Sequence, residues 1–348
     1  MRRFRDRDFL QTKDGFFFCV VGQVHPPNRI ISYIKYVPSE TGLWSNGQKK
    51  YGRIFRKYTI PDLIKTFNFL EKNYPQYMFY SPVDKITLTA VPYEYITKHF
   101  QPEMKLAKLK QTKNLDSLQI KLIRFTKFLE EISNLPERSF GVTGSLLLDI
   151  HDPSFSDLDL VVYGREESWK LKKALTENSR SELIMKRLNG TALKNWCIKK
   201  TKQYPLSFKE ALDLYGRKWN LGIFENKWVS IHPVKLDKEI RRDYGQETYC
   251  PSGQVTIEAS VSDNSDSIFL PAIYEVNDVN FLKGNPVDDV TKIVSYECLY
   301  DSLADNDERI EVRGKLEKVV NQEKNQIYYR VVVGSSEGKG KEYIKLKE

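Results

Sequence analysis

The run Val142-Thr-Gly-Ser-Leu-Leu-Leu-Asp-Ile-His-Asp-Pro-Ser-Phe-Ser-Asp-Leu-Asp-Leu-Val-Val-Tyr-Gly164 constrains this chain more than any other stretch. Phe140-Gly-Val-Thr143 is short, apolar and β-prone, so it reads as a strand. Gly144 and Ser145 end it, and Leu146, Leu147 and Leu148 open a short helix. Unpaired N–H groups at a helix start suit phosphate oxygens. Gly144 lets a phosphate approach closely, and Ser145 offers a hydroxyl. A turn at Asp152-Pro153-Ser154 leads into Ser156-Asp157-Leu158-Asp159-Leu160-Val161-Val162. Side chains alternate along a strand, so Asp157 and Asp159 share one face. Leu158, Leu160 and Val162 take the other. Two adjacent carboxylates repel unless a cation sits between them. Such hard oxygen ligands suit Mg²⁺ (or Mn²⁺); Mg²⁺ keeps several waters and also takes substrate phosphates.

Gly-Ser on a strand-to-helix turn, followed by Asp-x-Asp on the next strand, resembles the signature of the polymerase-β nucleotidyltransferase superfamily. The chain as a whole is similar to archaeal proteins described as predicted nucleotidyltransferases. The resemblance implies a core of mixed sheet with helices. Within it, Gly144 and Ser145 would hold the phosphates of an NTP, and Asp157 and Asp159 would be the catalytic, metal-binding acids. The implied reaction moves a nucleoside monophosphate from the NTP to an acceptor hydroxyl. Acceptors range from an RNA 3′ end to a protein side chain or a small molecule.

Members of that superfamily usually carry a third carboxylate on a neighbouring strand. The matching strand here is Lys227-Trp-Val-Ser-Ile-His-Pro-Val234, and its polar positions are Ser230 and His232. Glu225 precedes it and Asp237 follows it. His232 suits a softer metal or a general base, because an unperturbed imidazole titrates near ~6.5. A single strand histidine also commonly just packs and hydrogen-bonds. Without an obvious third acid, the alternative is a non-catalytic nucleotide- or RNA-binding scaffold on the same fold.

At 348 residues, size alone suggests two or three domains. Charge divides the chain the same way. Of the net +9, residues 1–110 carry about +10, residues 111–244 about +6 and residues 245–348 about −7. The basic front suits a polyanion such as RNA or DNA, although solubility and packing against an acidic partner domain explain it equally. No apolar run approaches the ~18 residues of a membrane span. No signal-peptide pattern follows Met1. Cys19, Cys197, Cys250 and Cys298 are scattered, which excludes a disulfide framework and a Cys-x-x-Cys zinc site and fits a reducing cytoplasm.

The expected class is therefore α+β in three parts. Residues 1–110 read as an α+β domain. Its strands are Gly15–Gly22, Arg29–Val37 and Ile86–Val91, and its helix opens at Ile60-Pro61 with Leu63, Ile64, Phe67 and Leu70 on its apolar face. Between them, Trp44–Tyr58 mixes basic and aromatic side chains, as a base-stacking surface or as half-buried aromatics under lysine stems. In residues 111–244, Lys113–Leu135 has helical spacing at Leu115, Leu118, Leu122, Phe125, Leu129 and Ile132. Glu166–Leu175 and residues 207–219 read as further helices, the latter with a Ser207/Glu210 capping box. Arg217 and Lys218 at its end are candidates to reach a triphosphate. Residues 245–348 alternate in short strands, with a helix expected at Val290–Leu303. Such strands suit a small closed β-barrel, OB-like by analogy. Gly338-Lys-Gly-Lys341 lacks the spacing and context of a P-loop.

Overall fold

A computed structural model describes residues 2–54, 60–178 and 185–347. It is mixed α+β, with three separate sheets.

The first sheet has eight strands: β1 (Phe9–Thr12), β2 (Phe17–Val20), β3 (Arg29–Pro38), β4 (Trp44–Ser45), β5 (Lys50–Gly52), β6 (Met78–Ser81), β7 (Ile86–Pro92) and β8 (Ile96–Phe100). Its main order is β4-β5-β3-β2-β1-β8, and β7 joins β3 to β6. Every residue of β2 is buried, so both faces of the sheet are covered. On one face Phe18 and Val20 pack with Leu70 of α1 (Ile60–Asn73). On the other, Phe9, Phe17 and Cys19 pack against Leu147, Leu148 and Ile150, just downstream of Gly144. Each such side chain contributes about 1.5–3 kcal/mol when fully buried. This second face therefore seats the Gly-Ser turn on the N-terminal sheet. The inward stripe of α1 differs from the expected one. Thr66 and Leu70, one turn apart, are buried, while Ile64 is 46% exposed. The side chain of Leu63 lies outside the described residues.

Two helices open the middle part where the periodicity predicts one. α2 (Pro102–Gln111) packs its Leu106 and Leu109 into the same core as α3 (Ser117–Ser133). Asp116 starts α3 by accepting from Leu118 N and Gln119 N, while the Gln119 side chain accepts from Asp116 N. That reciprocal cap satisfies three backbone donors and stops the α3 pattern from running back to Lys113. The remaining elements are β9 (Phe140–Val142), α4 (Gly144–Leu147), β10 (Leu158–Tyr163), α5 (Arg165–Glu177), α6 (Gly190–Thr201), α7 (Phe208–Arg217), β11 (Leu221–Phe224) and β12 (Lys227–Val234). The sheet order is β11-β12-β10-β9, with only β10 and β12 parallel. Leu158, Leu160, Val162, Val229 and Ile231 face Leu118, Leu122, Phe125 and Leu129 of α3. Ser207 and Glu210 form the expected capping box at α7.

The last part contains β13 (Glu247–Asp263), β14 (Ala272–Lys283), β15 (Val290–Ser295), β16 (Arg309–Asn321), β17 (Gln326–Val333) and β18 (Tyr343–Leu346). The order β13-β14-β15-β17-β16 closes because β13 also pairs β16; β18 adds to β16. The β15–β17 pair is parallel and the other barrel pairs are antiparallel. Val255, Ile257, Ala259 and Val261 point into this closed sheet, as their alternation predicts. The helix expected over Val290–Leu303 is instead β15 followed by a 3-10 turn at Cys298–Tyr300. Val290, Thr291, Ile293 and Val294 are β-branched and suit a pleated, packed surface, which overrides the apolar spacing. Among the described residues, no helix is long and apolar enough to cross a membrane.

Candidate functional site

The site is built where β10 and β12 run side by side. Their register sets Asp159 opposite Ser230 and Val161 opposite His232. Since Leu158, Leu160, Val229 and Ile231 face the helices, Asp159, Ser230 and His232 share the opposite face. Ser230 Oγ donates to Asp159 Oδ1 at 2.5 Å and lies 3.0 Å from His232 Nε2. A hydroxyl has one proton. Once it goes to the carboxylate, Nε2 must be the donor to Oγ. Burial, then the charges of Arg7 and Lys35, hold the imidazole well below its ordinary pKa, so it is neutral. His232 Nε2 thus orients Ser230 and has no lone pair for a metal or a substrate proton.

Gly144 completes this corner. Its φ is +69°, in the left-handed region, and a Cβ built there would lie 2.5 Å from Asp159 Oδ2. Only glycine allows both the backbone conformation and the approach to the carboxylate. Thr143 N also donates to the Asp159 carbonyl at 2.9 Å. The two halves of the sequence motif are therefore in contact. Ser145 is buried beside Gly144 in α4. α4 is a single turn, so it has little dipole to offer an anion. Close backbone approach is what this turn supplies.

Asp157 precedes β10 and is exposed. Its carboxyl is pushed up to about 6 by desolvation and by the Asp159 charge, while Arg53, Lys227 and Lys35 draw it down. A divalent cation between the two acids would relieve their mutual repulsion. Among the described residues, no group of three or more His, Cys, Asp or Glu side chains gathers to hold a metal. The donor set fits Mg²⁺ in its usual manner, with one or two carboxylates and the rest from water and phosphate.

The expected third-acid alternatives lie elsewhere. Glu225 pairs with Arg124 at 2.6 Å, and its carbonyl accepts from Lys121, both on α3. Asp237 pairs with Arg5 at 2.8 Å. Arg217 and Lys218 are also engaged away from the Gly-Ser turn. Arg217 bridges to Asp305 and Glu308 of the C-terminal part. Lys218, 3% exposed, donates to Asp301 Oδ1 and to the Cys298 carbonyl. Both side chains join the middle part to the barrel. These partners, which a helix-end position cannot reveal, take up both cations.

Arg53 and Lys35 of the N-terminal part, with Lys227 of β12, bring positive charge to Asp157. Arg53 lies 4.4 Å over the Trp44 ring, and its Nη2 donates to Tyr36 OH. Lys35 lies over Phe9. Arg7 has φ +68°, uncommon for arginine. Its carbonyl accepts from Thr143 Oγ1 at 2.8 Å, and its guanidinium reaches Asp6 and Cys298. Arg7 and His232 border a cavity of about 20 Å³, room for one water. Of these cations, Arg53 lies in the basic-aromatic Trp44–Tyr58 stretch, while Arg7 and Lys35 carry no comparable sequence signal. Of the basic-aromatic stretch, Tyr51 is buried and Trp44 packs its ring against Phe155. Phe55, Arg56, Lys57 and Tyr58 lie outside the described residues.

Comparison with curated proteins finds an uncharacterized protein of Methanocaldococcus jannaschii, 29% identical over 347 residues and matched over 99% of each chain. No family model matches the chain, and no solved structure matches it. The similarity to the archaeal protein thus extends over all three parts.

Proposed function

We propose that the protein is a nucleotidyltransferase of the polymerase-β type, moving a nucleoside monophosphate from an NTP to an acceptor hydroxyl and releasing pyrophosphate. The observation that carries this reading is the contact between Gly144 and the Asp159 carboxylate. It joins a phosphate-approach turn to a metal-suited acid pair. Asp157 and Asp159 would hold Mg²⁺ (or Mn²⁺), which when bound would neutralise charge developing on the phosphates. Gly144 and Ser145 would lie along the triphosphate. Lys35 and Arg53 add positive charge on the same side.

The closed strand order β13-β14-β15-β17-β16, with its parallel β15–β17 pair, supports an OB-like reading of the last part. The basic N-terminal part favours RNA or DNA as the acceptor, in a cytoplasmic setting.

A second reading has one specific observation behind it. Opposite Asp159 stands Ser230, where the superfamily usually has an acid. On that reading the fold binds nucleotide or RNA without turnover. Incubation with each α-³²P-labelled NTP, Mg²⁺ or Mn²⁺ and total RNA separates the two. Label transfer by the wild type, absent in Asp157→Ala/Asp159→Ala, supports the enzyme. NTP binding without any transfer supports the scaffold.

A further inference from the structure

We infer that Trp228 is the stacking platform for the nucleobase of the bound nucleotide. This deepens the nucleotide reading of the Asp157/Asp159 site and rests on it. Residues alternate along β12, so Trp228 lies on the same face as Ser230 and His232. The register pairs Leu158 with Val229. One step earlier, Trp228 therefore flanks Asp157 across the mouths of the two strands. Large aromatic side chains on a sheet face are normally covered, yet Trp228 is 44% exposed. Its antiparallel neighbour on β11 is Ile223, and Leu221 lies opposite Ser230; both are half-buried. The acid-bearing face thus continues sideways into an open apolar shelf.

The opposite end of the same face offers no such space. Val161, Tyr163 and Val234 pack together there, and Arg5 lies over the Tyr163 ring. The gap beside His232 holds no more than one water. A nucleotide whose phosphates lie at Gly144 and the two acids must place its base on the open side. An indole is a large flat surface that any base can stack on, and such stacking tolerates sequence. Lys227 fixes the start of β12, because its ammonium donates to the Ser154 carbonyl at 2.9 Å. The platform is therefore held in place relative to the loop that carries Asp157.

Calorimetric titration with ATP and with inorganic triphosphate, both in Mg²⁺, tests this on wild type, Trp228→Ala and Trp228→Phe. Trp228→Ala is expected to weaken ATP about tenfold and to leave inorganic triphosphate within about twofold. Trp228→Phe, which keeps a stacking ring, should bind ATP within about threefold of wild type. Unchanged ATP binding by Trp228→Ala overturns the platform and leaves the nucleotide reading standing. Equal weakening of both ligands also overturns it, since triphosphate has no base to stack. A wild type that binds neither ligand removes the nucleotide reading, and the platform with it.

Discussion

Replacing Gly144 with alanine tests whether the two halves of the motif touch. Two costs should add. The first is conformational. An L-residue in the left-handed region costs about 1–2 kcal/mol. The second is steric. A Cβ at 2.5 Å from Asp159 Oδ2 cannot be tolerated, so the carboxylate must turn away. It then loses the Ser230 hydroxyl, a charge-assisted bond worth about 1.5–3 kcal/mol. The structure supplies its own control. Gly22 has φ +68°, and nothing lies within 4 Å of its missing Cβ. Gly22→Ala should therefore lose only the conformational cost, about 1–2 kcal/mol, and Gly144→Ala about 3–5 kcal/mol. Urea titration reads the difference as a shift in midpoint at unchanged slope. Mg²⁺-dependent NTP binding should fall with Gly144→Ala and persist with Gly22→Ala. Equal destabilisation by the two alanines would refute the contact with Asp159.

Other expectations follow from the site and its surroundings. Asp157 titrates near 6, against an ordinary 3.8, so the folded state favours its protonated form. Its contribution to stability is full below about pH 4 and is lost as pH rises through about 6. Mg²⁺ should therefore raise the melting temperature more at pH 8 than at pH 5, and Asp157→Asn should abolish that difference; an unchanged Mg²⁺ response in the variant would count against the metal assignment. Lys218→Met takes the buried ammonium away from half-buried Asp301 and should cost about 1–3 kcal/mol, whereas Arg217→Ala removes surface pairs worth about 0–1 kcal/mol. Arg217→Ala should leave NTP affinity unchanged, and a large loss would restore Arg217 to the phosphate site. Ser230→Ala removes a donor from Asp159 and should cost about 1.5–3 kcal/mol, read by urea titration; no change would mean that the short contact is absent in solution.

The parts of the fold that alternate or repeat strongly were legible in the sequence. The Asp157/Asp159 face, the α3 core stripe, the Ser207 cap and the inward face of β13 follow directly from period and local chemistry. Val290–Leu303 was not legible, because a short apolar run fits a helix and a strand alike until neighbouring strands select one. α2 was missed because its apolar positions are few among lysines. At the site, Gly144 and Asp159 follow from their motif and Arg53 lies in the basic-aromatic stretch, but Lys35 carries no sequence signal. It comes near Asp157 only through tertiary packing of another sheet. The partners of Arg217 and Lys218, namely Asp301, Asp305 and Glu308, were not legible for the converse reason, since they are distant in sequence. Trp228 was the one omission that strand alternation alone could have repaired.

The ties of residues 2–8 carry a consequence for how the site comes into being. Arg2 pairs with Glu103, Arg5 with Asp237, and Arg7 reaches Cys298 while its carbonyl holds Thr143. Residues 2–8 thus have partners that are translated much later. A nascent chain can complete its N-terminal sheet early, but Arg7 cannot be locked beside His232 until the barrel has been made. Assembly of the acid pair's surroundings is therefore a late event in biogenesis. A growing chain would carry the motif before the finished site exists around it.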